Sequence, residues 1–175
     1  LAHGGARVLL IDADMRRPGV HAISGLDNAC GLSDVLSGRA PAHRVVRRLP
    51  DPDLWIMTAG QPPANPSELL ASQRMSALMA NARSGPFDWV IVDTPPVLAV
   101  TDALSLAPWV SGVALVLGSE MTTRHHVDRV LETLQPSRPQ LLGVVLNRVD
   151  MVRNKYYYSR YYGSSYRKYV EEAAA

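Results

Sequence analysis

Two segments of the sequence place acidic side chains directly after runs of aliphatic residues. LLIDADMRRP carries Asp12, Asp14 and Arg16 at alternate positions, and WVIVDTPP carries Asp93 ahead of two prolines. Carboxylates that converge repel one another unless a cation lies among them, and Mg²⁺, which takes oxygen ligands and keeps several waters, suits that position. One aspartate after a strand usually caps the next turn. Two such segments together predict a magnesium site made by Asp12, Asp14 and Asp93.

A second group of reactive side chains is a cluster of tyrosines near the C-terminus. All seven tyrosines of the chain belong to it, and they are Tyr156, Tyr157, Tyr158, Tyr161, Tyr162, Tyr166 and Tyr169. The surrounding residues 148–175, here called the tail, show neither a strand period nor a helix period in their apolar residues, so we expect the tail to be disordered. Because tyrosine rings are usually buried, rings in a polar tail either bind something or have their hydroxyls modified.

Two functions fit the tail. The rings and arginines could form an adhesive patch for an anionic polymer, by stacking and by phosphate contacts. The tyrosines could instead accept phosphate, which adds about 1.5 to 2 negative charges each. The tail has six basic and three acidic side chains, hence a net charge of +3. Seven phosphates would take that charge to roughly −7 or lower, which is enough to dissolve a docked interface.

Composition limits the classes of protein that need considering. The 175 residues are 47% hydrophobic, which is enough for one domain with a buried core, and a net charge of +2 argues against a nucleic-acid binder. The single cysteine, Cys30, excludes an internal disulfide and suits a reducing compartment. The sequence shows neither a membrane span nor a signal peptide, so we expect a cytoplasmic protein unless a missing part anchors it.

The aspartates need a sheet to bring them together, and aliphatic runs predict one. Four runs are expected to form strands buried on both faces, at residues 8–11, 89–92, 113–117 and 141–146. Helical patterns lie between them. They alternate with the strands, which predicts an α/β fold with a doubly wound, mostly parallel sheet flanked by helices. Ligands of such sheets bind beyond the carboxyl ends of the strands, where both aspartate segments fall.

Two helices are predicted from capping and periodicity. One begins at Asn65 and Pro66, with Glu68 as a capping residue. Its predicted apolar face consists of Ala71, Met75, Leu78, Met79 and Ala82. The other follows Thr122 and ends at Pro136, because proline cannot continue a helix. Residues 39–52 resemble a linker.

Several segments together resemble the bacterial tyrosine kinases. LLIDADMR resembles the second, modified Walker motif of that family, and VIVDTPP is similar to its Walker B motif. QPPANPSELLAS resembles the segment between those motifs, GVVLNR resembles a late strand, and the tyrosine tail completes the likeness. The resemblance implies a P-loop NTPase-like fold, ATP and Mg²⁺ as cofactors, and autophosphorylation of the tail in a protein that regulates the polymerisation and export of polysaccharide.

The resemblance also implies roles for individual residues. Asp12 and Asp93 would hold Mg²⁺, directly or through water, and Asp14 would help to bind the cation or take the proton from tyrosine. Asp12 and Asp14 remain alternatives as the base. Arg16 is a candidate for holding the incoming phenol or the transferred phosphate, with a solvated arginine as the alternative. Asn147 resembles an asparagine that reads adenine in related ATPases.

One departure from the family pattern concerns the phosphate-binding loop. No G-x-x-x-x-G-K-[ST] motif occurs in the 175 residues, so the lysine that this motif supplies to the phosphates is missing. We interpret the chain as a fragment that starts after the P-loop and is inactive alone, with a degenerate paralogue as the alternative. Residues 1–147 would be a partial kinase domain, followed by the flexible tail at 148–175.

The family likeness implies partners as well. It predicts ring-like homo-oligomers with phosphorylation between subunits, a membrane activator or polysaccharide co-polymerase segment, fused or separate, and a tyrosine phosphatase, but no nucleic acid. The protein would then lie at the inner face of the plasma membrane. Two other functions stay open: a partition or division-site ATPase, against which the tyrosine tail argues, and a non-catalytic phospho-acceptor scaffold, against which the carboxylates argue.

Overall fold

A computed structural model describes residues 1–50 and 53–150. The chain divides into two compact units, which are described separately: residues 1–111 with 130–139, and residues 112–129 with those from 140 onward. The tyrosines of the tail lie outside the described residues. Among the described residues, no helix combines the length and the apolar character that crossing a membrane requires.

The first unit is built on a four-stranded sheet. Its strands are β1 (Val8–Asp12), β2 (Val46–Leu49), β3 (Leu54–Met57) and β4 (Trp89–Asp93). Their order is β2-β3-β1-β4. β1 runs parallel to both of its neighbours, and β2 pairs with β3 in the antiparallel direction. The mostly parallel sheet expected from the alternating pattern is confirmed.

Helices flank this sheet and bury its central strand. The helices of the described chain are α1 (Val20–Ser24), α2 (Leu32–Ser37), α3 (Ala42–Val45), α4 (Pro66–Leu70), α5 (Gln73–Ser84), α6 (Asp102–Leu106) and α7 (Arg124–Leu134). Short 3-10 turns cover Ala2–Gly4, Ala107–Trp109 and Gln135–Ser137. The core contains Ile11 of β1, Met57 of β3, Leu36 of α2 and Met75 of α5, all at most 1% exposed. Buried apolar side chains therefore surround β1 close to its carboxyl end.

The helix predicted from Asn65 onward is two helices. Ser72 has an extended backbone, and its hydroxyl accepts a hydrogen bond from the amide of Met75, so it caps a new helix, α5. Ala71, which was expected on the apolar face, is exposed at the break. The other predicted positions, Met75, Leu78, Met79 and Ala82, are buried. A serine N-cap inside an apolar period explains why periodicity alone joined the two helices.

The linker predicted at residues 39–52 is wrong, because this stretch contains α3 and β2. β2 is a short edge strand in which Arg47 and Arg48 are exposed. The guanidinium of Arg48 lies 5.2 Å from the ring centre of Trp55 and also pairs with Asp53. Because two of the four residues of β2 are arginines, the strand does not appear as an apolar run in the sequence. Charge on an edge strand also discourages pairing with other chains.

The second unit contains β5 (Val113–Gly118) and β6 (Leu141–Asn147), which pair in parallel. Both strands were predicted, but their expected burial on both faces is wrong. All seven residues of β6 are exposed, and in β5 only Leu115 is buried. An aliphatic run shows only that a strand could be buried, because burial also requires another layer of structure to pack on it. Among the described residues of this unit, no layer covers β6.

β4 also departs from the expected burial on both faces. Its residues alternate between exposed and half-buried, with Trp89 50% exposed and Ile91 40% exposed. Within the described part of the chain β4 is the last strand of its sheet, so no strand pairs with its outer edge. The strand therefore combines an open edge with an open apolar face.

Candidate active site at the carboxyl ends of β1 and β4

The two aspartate segments meet at one edge of the sheet. β1 and β4 are parallel neighbours, and their register pairs Asp12 with Asp93. The amide of Ala13, one residue past β1, donates a 2.8 Å hydrogen bond to the carbonyl oxygen of Asp93. The backbone thus continues the pairing beyond the strand ends and places both carboxylates side by side.

The loop that follows β1 wraps around the carboxylate of Asp12. One oxygen, Oδ1, accepts the amide of Asp14 at 3.1 Å, and Oδ2 accepts the amides of Gly19 at 3.2 Å and Val20 at 3.1 Å. The residue is fully buried. Burial, together with the like charge of Asp14, raises the pKa of the Asp12 carboxyl more than these three hydrogen bonds lower it. Asp12 is therefore fixed in position, and its negative charge has little solvent to stabilise it.

Asp93 also lies close to other negatively charged side chains. Partial desolvation raises the pKa of the Asp93 carboxyl, although the residue keeps solvent contact, and the like charges of Asp12 and Asp14 raise it further. A hydrogen bond from the amide of Thr94 opposes these effects. A cation between the carboxylates would relieve the repulsion.

Asp14 lies between Asp12 and Arg16 in a chain of local hydrogen bonds. It is half-buried, and its Oδ1 accepts the amides of Arg16 at 3.2 Å and of Arg17 at 2.9 Å. Its own amide is bonded to Asp12. The orientation of the Asp14 carboxylate is therefore set by the backbone of the two residues that follow Met15.

Arg16 is held by two residues that the sequence analysis missed, Asp102 and Ser67. Its Nε donates to Oδ2 of Asp102 at 2.9 Å, and its Nη2 donates to Oδ1 of Asp102 at 3.2 Å and to the Ser67 hydroxyl at 2.9 Å. Arg16 is exposed to solvent, as the alternative role of a solvated arginine expected, but its guanidinium is paired with Asp102. Its role toward phenol or phosphate stays a prediction.

A weak signal for Asp102 was present in the sequence. α6 is the helix that follows β4, and in an open parallel sheet the helix after a strand begins near the carboxyl edge of that strand. Asp102 lies in the first turn of α6. Nothing in the local pattern pointed to Arg16, which is 86 residues away.

The donor set fits Mg²⁺ in chemistry. Asp12 and Asp93 are hard oxygen ligands, and Mg²⁺ is commonly bound through one or two carboxylates together with waters and phosphates. Among the described residues, however, no group of three or more histidine, cysteine, aspartate or glutamate side chains is arranged to hold a metal ion. The three-carboxylate site with Asp14 as a ligand stays a prediction.

Asn147 belongs to the second unit, at the carboxyl end of β6. It helps to line an open depression of about 310 Å³ whose other lining residues are Val116, Gly118, Met121, Thr122 and Arg148. The carbonyl oxygen of Asn147 accepts the amide of Ser119 at 2.8 Å, and its side-chain oxygen accepts the amide of Arg148 at 2.8 Å. Adenine recognition by Asn147 stays a prediction.

A mostly parallel sheet flanked by helices, with paired aspartates at adjacent carboxyl ends, defines a P-loop NTPase-like protein. The kinase domain of the tyrosine kinase ETK of Escherichia coli has this fold: it is 36% identical, with a TM-score of 0.81 over 85% of this chain and 58% of the other. Solved cell-division ATPases, 21 to 24% identical, share the fold alone. No protein-family model matches the chain.

Sequence relatives define the family. The tyrosine-protein kinase YwqD of Bacillus subtilis is 37% identical over 163 residues, which cover 93% of this chain and 68% of YwqD. EpsB of Ralstonia solanacearum is 44% identical over 169 residues, which cover 97% of this chain and only 22% of EpsB. The chain belongs to the bacterial tyrosine-protein kinase family, and it spans about a fifth of the longer relatives it matches.

Proposed function

We propose that the full-length protein is an ATP-dependent tyrosine kinase that phosphorylates the tyrosines of its own tail. The register that pairs Asp12 with Asp93 carries this proposal, because it puts two carboxylates with raised pKa values at the edge where such sheets bind their ligands. Membership of the tyrosine-kinase family supports the same activity.

In this proposal each carboxylate has a defined task. Asp12 and Asp93 hold Mg²⁺, directly or through water, and the ion supplies positive charge to the phosphates of ATP. The tyrosine oxygen bonds to the γ-phosphorus as the bond from phosphorus to the bridging oxygen breaks, and ADP leaves. The phenolic proton goes to Asp14 or Asp12, since a hydroxyl with a pKa near 10 needs an acceptor at neutral pH.

The decisive measurement is phosphotyrosine on the full-length protein after incubation with ATP and Mg²⁺. The full-length protein is needed because these 175 residues contain no P-loop motif. We expect Asp12→Asn to lower the rate roughly 100-fold or more, the scale of losing one preorganised electrostatic group. Asp88→Asn, which changes a carboxylate at the opposite ends of β1 and β4, is the control and should remain active.

The result also separates the other functions. Phosphotyrosine that does not depend on Asp12 would contradict the proposed site. ATP hydrolysis without phosphotyrosine would indicate a partition-type ATPase, and neither activity would indicate a scaffold.

Phosphorylation between subunits is the finer part of the proposal. Twenty-eight tail residues at about 3.3 Å each reach on the order of 90 Å when extended, enough to enter a neighbour's site. We expect phosphate on an Asp12→Asn protein with an intact tail when it is mixed with a tail-deleted, otherwise complete kinase. Phosphate that never appears on this acceptor would exclude transfer between subunits.

The setting of this reaction is part of the same proposal. Ring-like oligomers at the inner face of the plasma membrane, loosened as the tail gains negative charge, would couple phosphorylation to polysaccharide export. A membrane activator or co-polymerase segment and a tyrosine phosphatase are the partners that such a cycle needs. Size-exclusion chromatography before and after incubation with ATP tests the loosening, because the phosphorylated protein should elute as a smaller species.

A further inference from the structure

A closed triangle of hydrogen bonds joins three parts of the first unit beside the candidate site. Arg16 donates to both carboxylate oxygens of Asp102 and to the hydroxyl of Ser67, and that hydroxyl in turn donates to Oδ1 of Asp102 at 2.7 Å. Arg16 lies in the loop after β1, Ser67 in the first turn of α4 and Asp102 in the first turn of α6. Each of the three side chains contacts the other two.

The triangle is charged, and its carboxylate is removed from water. Asp102 is fully buried, whereas the side chain of Arg16 is 38% exposed. Burial alone would raise the pKa of the Asp102 carboxyl, but the hydrogen bonds from Arg16 and Ser67 and the charge of Arg16 outweigh it, so the pKa is lowered. Asp102 is therefore ionised, and it keeps two hydrogen bonds to Arg16 because a buried carboxylate without its cationic partner is strongly unfavourable.

Holding Arg16 also constrains the two aspartates before it. The amide of Arg16 donates to the Asp14 carboxylate, and the amide of Asp14 donates to the Asp12 carboxylate. A continuous path of hydrogen bonds and short backbone segments thus runs from Asp102 through Arg16 and Asp14 to Asp12. Holding the guanidinium in place therefore restricts the backbone amides of Arg16 and Asp14, which help to orient the two carboxylates.

We propose that Asp102 and Ser67 are positioning residues for the phosphoryl-transfer site, which act by anchoring Arg16 and thereby orienting Asp14 and Asp12. The inference rests on the function proposed above for that site. Neither residue needs to touch ATP or tyrosine. Nη2 of Arg16 donates to two partners, the Asp102 carboxylate and the Ser67 hydroxyl. Ser67 contributes as the second of these partners, which opposes rotation of the guanidinium toward solvent.

A matched ion pair at the other ends of the same strands provides the control. Arg7 and Asp88 immediately precede β1 and β4, and Arg7 likewise donates through Nε and Nη2 to the two oxygens of its aspartate. This pair is about half exposed on both sides. Asp88→Asn therefore removes the same kind of contact from the same two strands, at the edge away from the site.

The test makes two measurements on the full-length protein, a thermal-unfolding titration and kinetics at a temperature at which every variant is folded. The first readout is the rise in Tm caused by Mg²⁺ with ADP, followed as a function of Mg²⁺ concentration. For Asp102→Asn we expect the half-maximal Mg²⁺ concentration to rise roughly tenfold, the lower end of the 10 to 100-fold cost of losing a residue that orients a metal ligand. For Ser67→Ala we expect a smaller rise, roughly threefold, because Ser67 makes one contact to Arg16 where Asp102 makes two. Asp88→Asn should match the wild type.

The second readout is the kcat of autophosphorylation. We expect kcat to fall in both variants while the KM for ATP stays within about twofold. The double variant Asp102→Asn with Asp14→Asn should lose less kcat than the product of the two single losses, because both changes act through the Asp14 carboxylate. In the double variant Asp88→Asn with Asp14→Asn the two effects on kcat should simply multiply. Arg16→Lys should resemble Asp102→Asn, since lysine lacks the two-pronged contact.

The outcomes separate this inference from the proposed function. Wild-type Mg²⁺ dependence and wild-type kcat in both Ser67→Ala and Asp102→Asn would overturn the positioning role. If Asp102→Asn does not fold, Ser67→Ala decides by the same criteria. If the wild type forms no phosphotyrosine, the proposed function fails, and the Mg²⁺ titration alone still decides whether Ser67 and Asp102 orient the carboxylates.

Discussion

At the scale of one residue, the ionised carboxylate of Asp93 is disfavoured by its surroundings in the folded protein. Asp93 pairs with Asp12 in the register of the two strands. The pKa of its carboxyl is raised by desolvation and by the like charges of Asp12 and Asp14. A carboxyl whose folded pKa lies above its unfolded value destabilises the fold once the pH exceeds the folded pKa. The metal-free protein therefore carries a penalty at neutral pH that a bound cation would remove.

Replacing Asp93 should reverse this penalty. We expect Asp93→Asn to increase the free energy of unfolding at pH 7 without Mg²⁺ by roughly 0.5 kcal/mol, the scale of an exposed charge interaction. The gain should disappear as the pH falls through the raised folded pKa toward the usual aspartate value of 3.8, because the wild-type carboxyl is then protonated. Urea denaturation at pH 7 and pH 4 measures both values.

Asp88, which directly precedes β4, has the opposite effect on stability. The hydrogen bonds and charge of Arg7 lower its pKa to about 2, so its stabilising effect is complete above the unfolded pKa. Asp88→Asn should therefore destabilise the protein at pH 7. A gain of stability in Asp88→Asn, or a loss in Asp93→Asn, would contradict this account of the two carboxylates.

At the scale of elements, the contact between α2 and the end of β3 depends on the absence of a side chain. The amides of Leu32 and Ser33, at the start of α2, donate to the carbonyl oxygens of Thr58 at 2.8 Å and Ala59 at 2.9 Å. A Cβ on Gly31 would lie 2.2 Å from the amide nitrogen of Gly60 and 2.3 Å from the oxygen of Thr58. Both are backbone atoms, so neither moves aside easily.

We expect Gly31→Ala to destabilise the protein by about 1 to 3 kcal/mol, the usual cost of forcing an extra carbon into a packed site. Gly4→Ala is the matched control, because a Cβ there meets nothing within 4 Å, and it should stay within about 0.5 kcal/mol of the wild type. Thermal unfolding of the two variants gives the comparison. Equal stability of both would show that the backbone around Gly31 is free to adjust.

The strands that carry the site were predictable, while its supports were not. β1 and β4 are aliphatic runs that end in aspartate. The local sequence therefore predicted that they are strands, how long they are and that their carboxyl ends lie at the same edge of the sheet. The triangle of Arg16, Ser67 and Asp102 joins residues 51 and 86 positions away from Arg16. No periodicity records such distant polar contacts, because they exist only once the helices have packed.

At the scale of the whole molecule, the exposed apolar residues of the described chain include two groups that each share one strand. Trp89 and Ile91 lie on β4, and every residue of β6 is exposed. Scattered apolar residues on a surface are ordinary, whereas contiguous ones mark surfaces that associate. The sequence predicted the apolar runs correctly, but exposure depends on which layers cover them, and a run of valines and leucines carries no record of that.

The open edge and face of β4 predict how these 175 residues behave when produced on their own. We expect concentration-dependent self-association, measured by sedimentation velocity, and we expect Ile91→Lys to weaken it, because charge beside an unpaired strand opposes strand addition. Ile23→Lys is the control: Ile23 is 91% exposed but lies on α1, not on a strand. Equal association of the two variants would contradict a role for β4.

The unpaired edge of β4 also has a practical consequence for anyone purifying this segment. Its soluble yield would depend less on how well the core is packed than on how quickly β4 meets another extended peptide. A short synthetic strand former added during refolding should then act as a chaperone, occupying the hydrogen-bonding groups along β4 before a second copy reaches them.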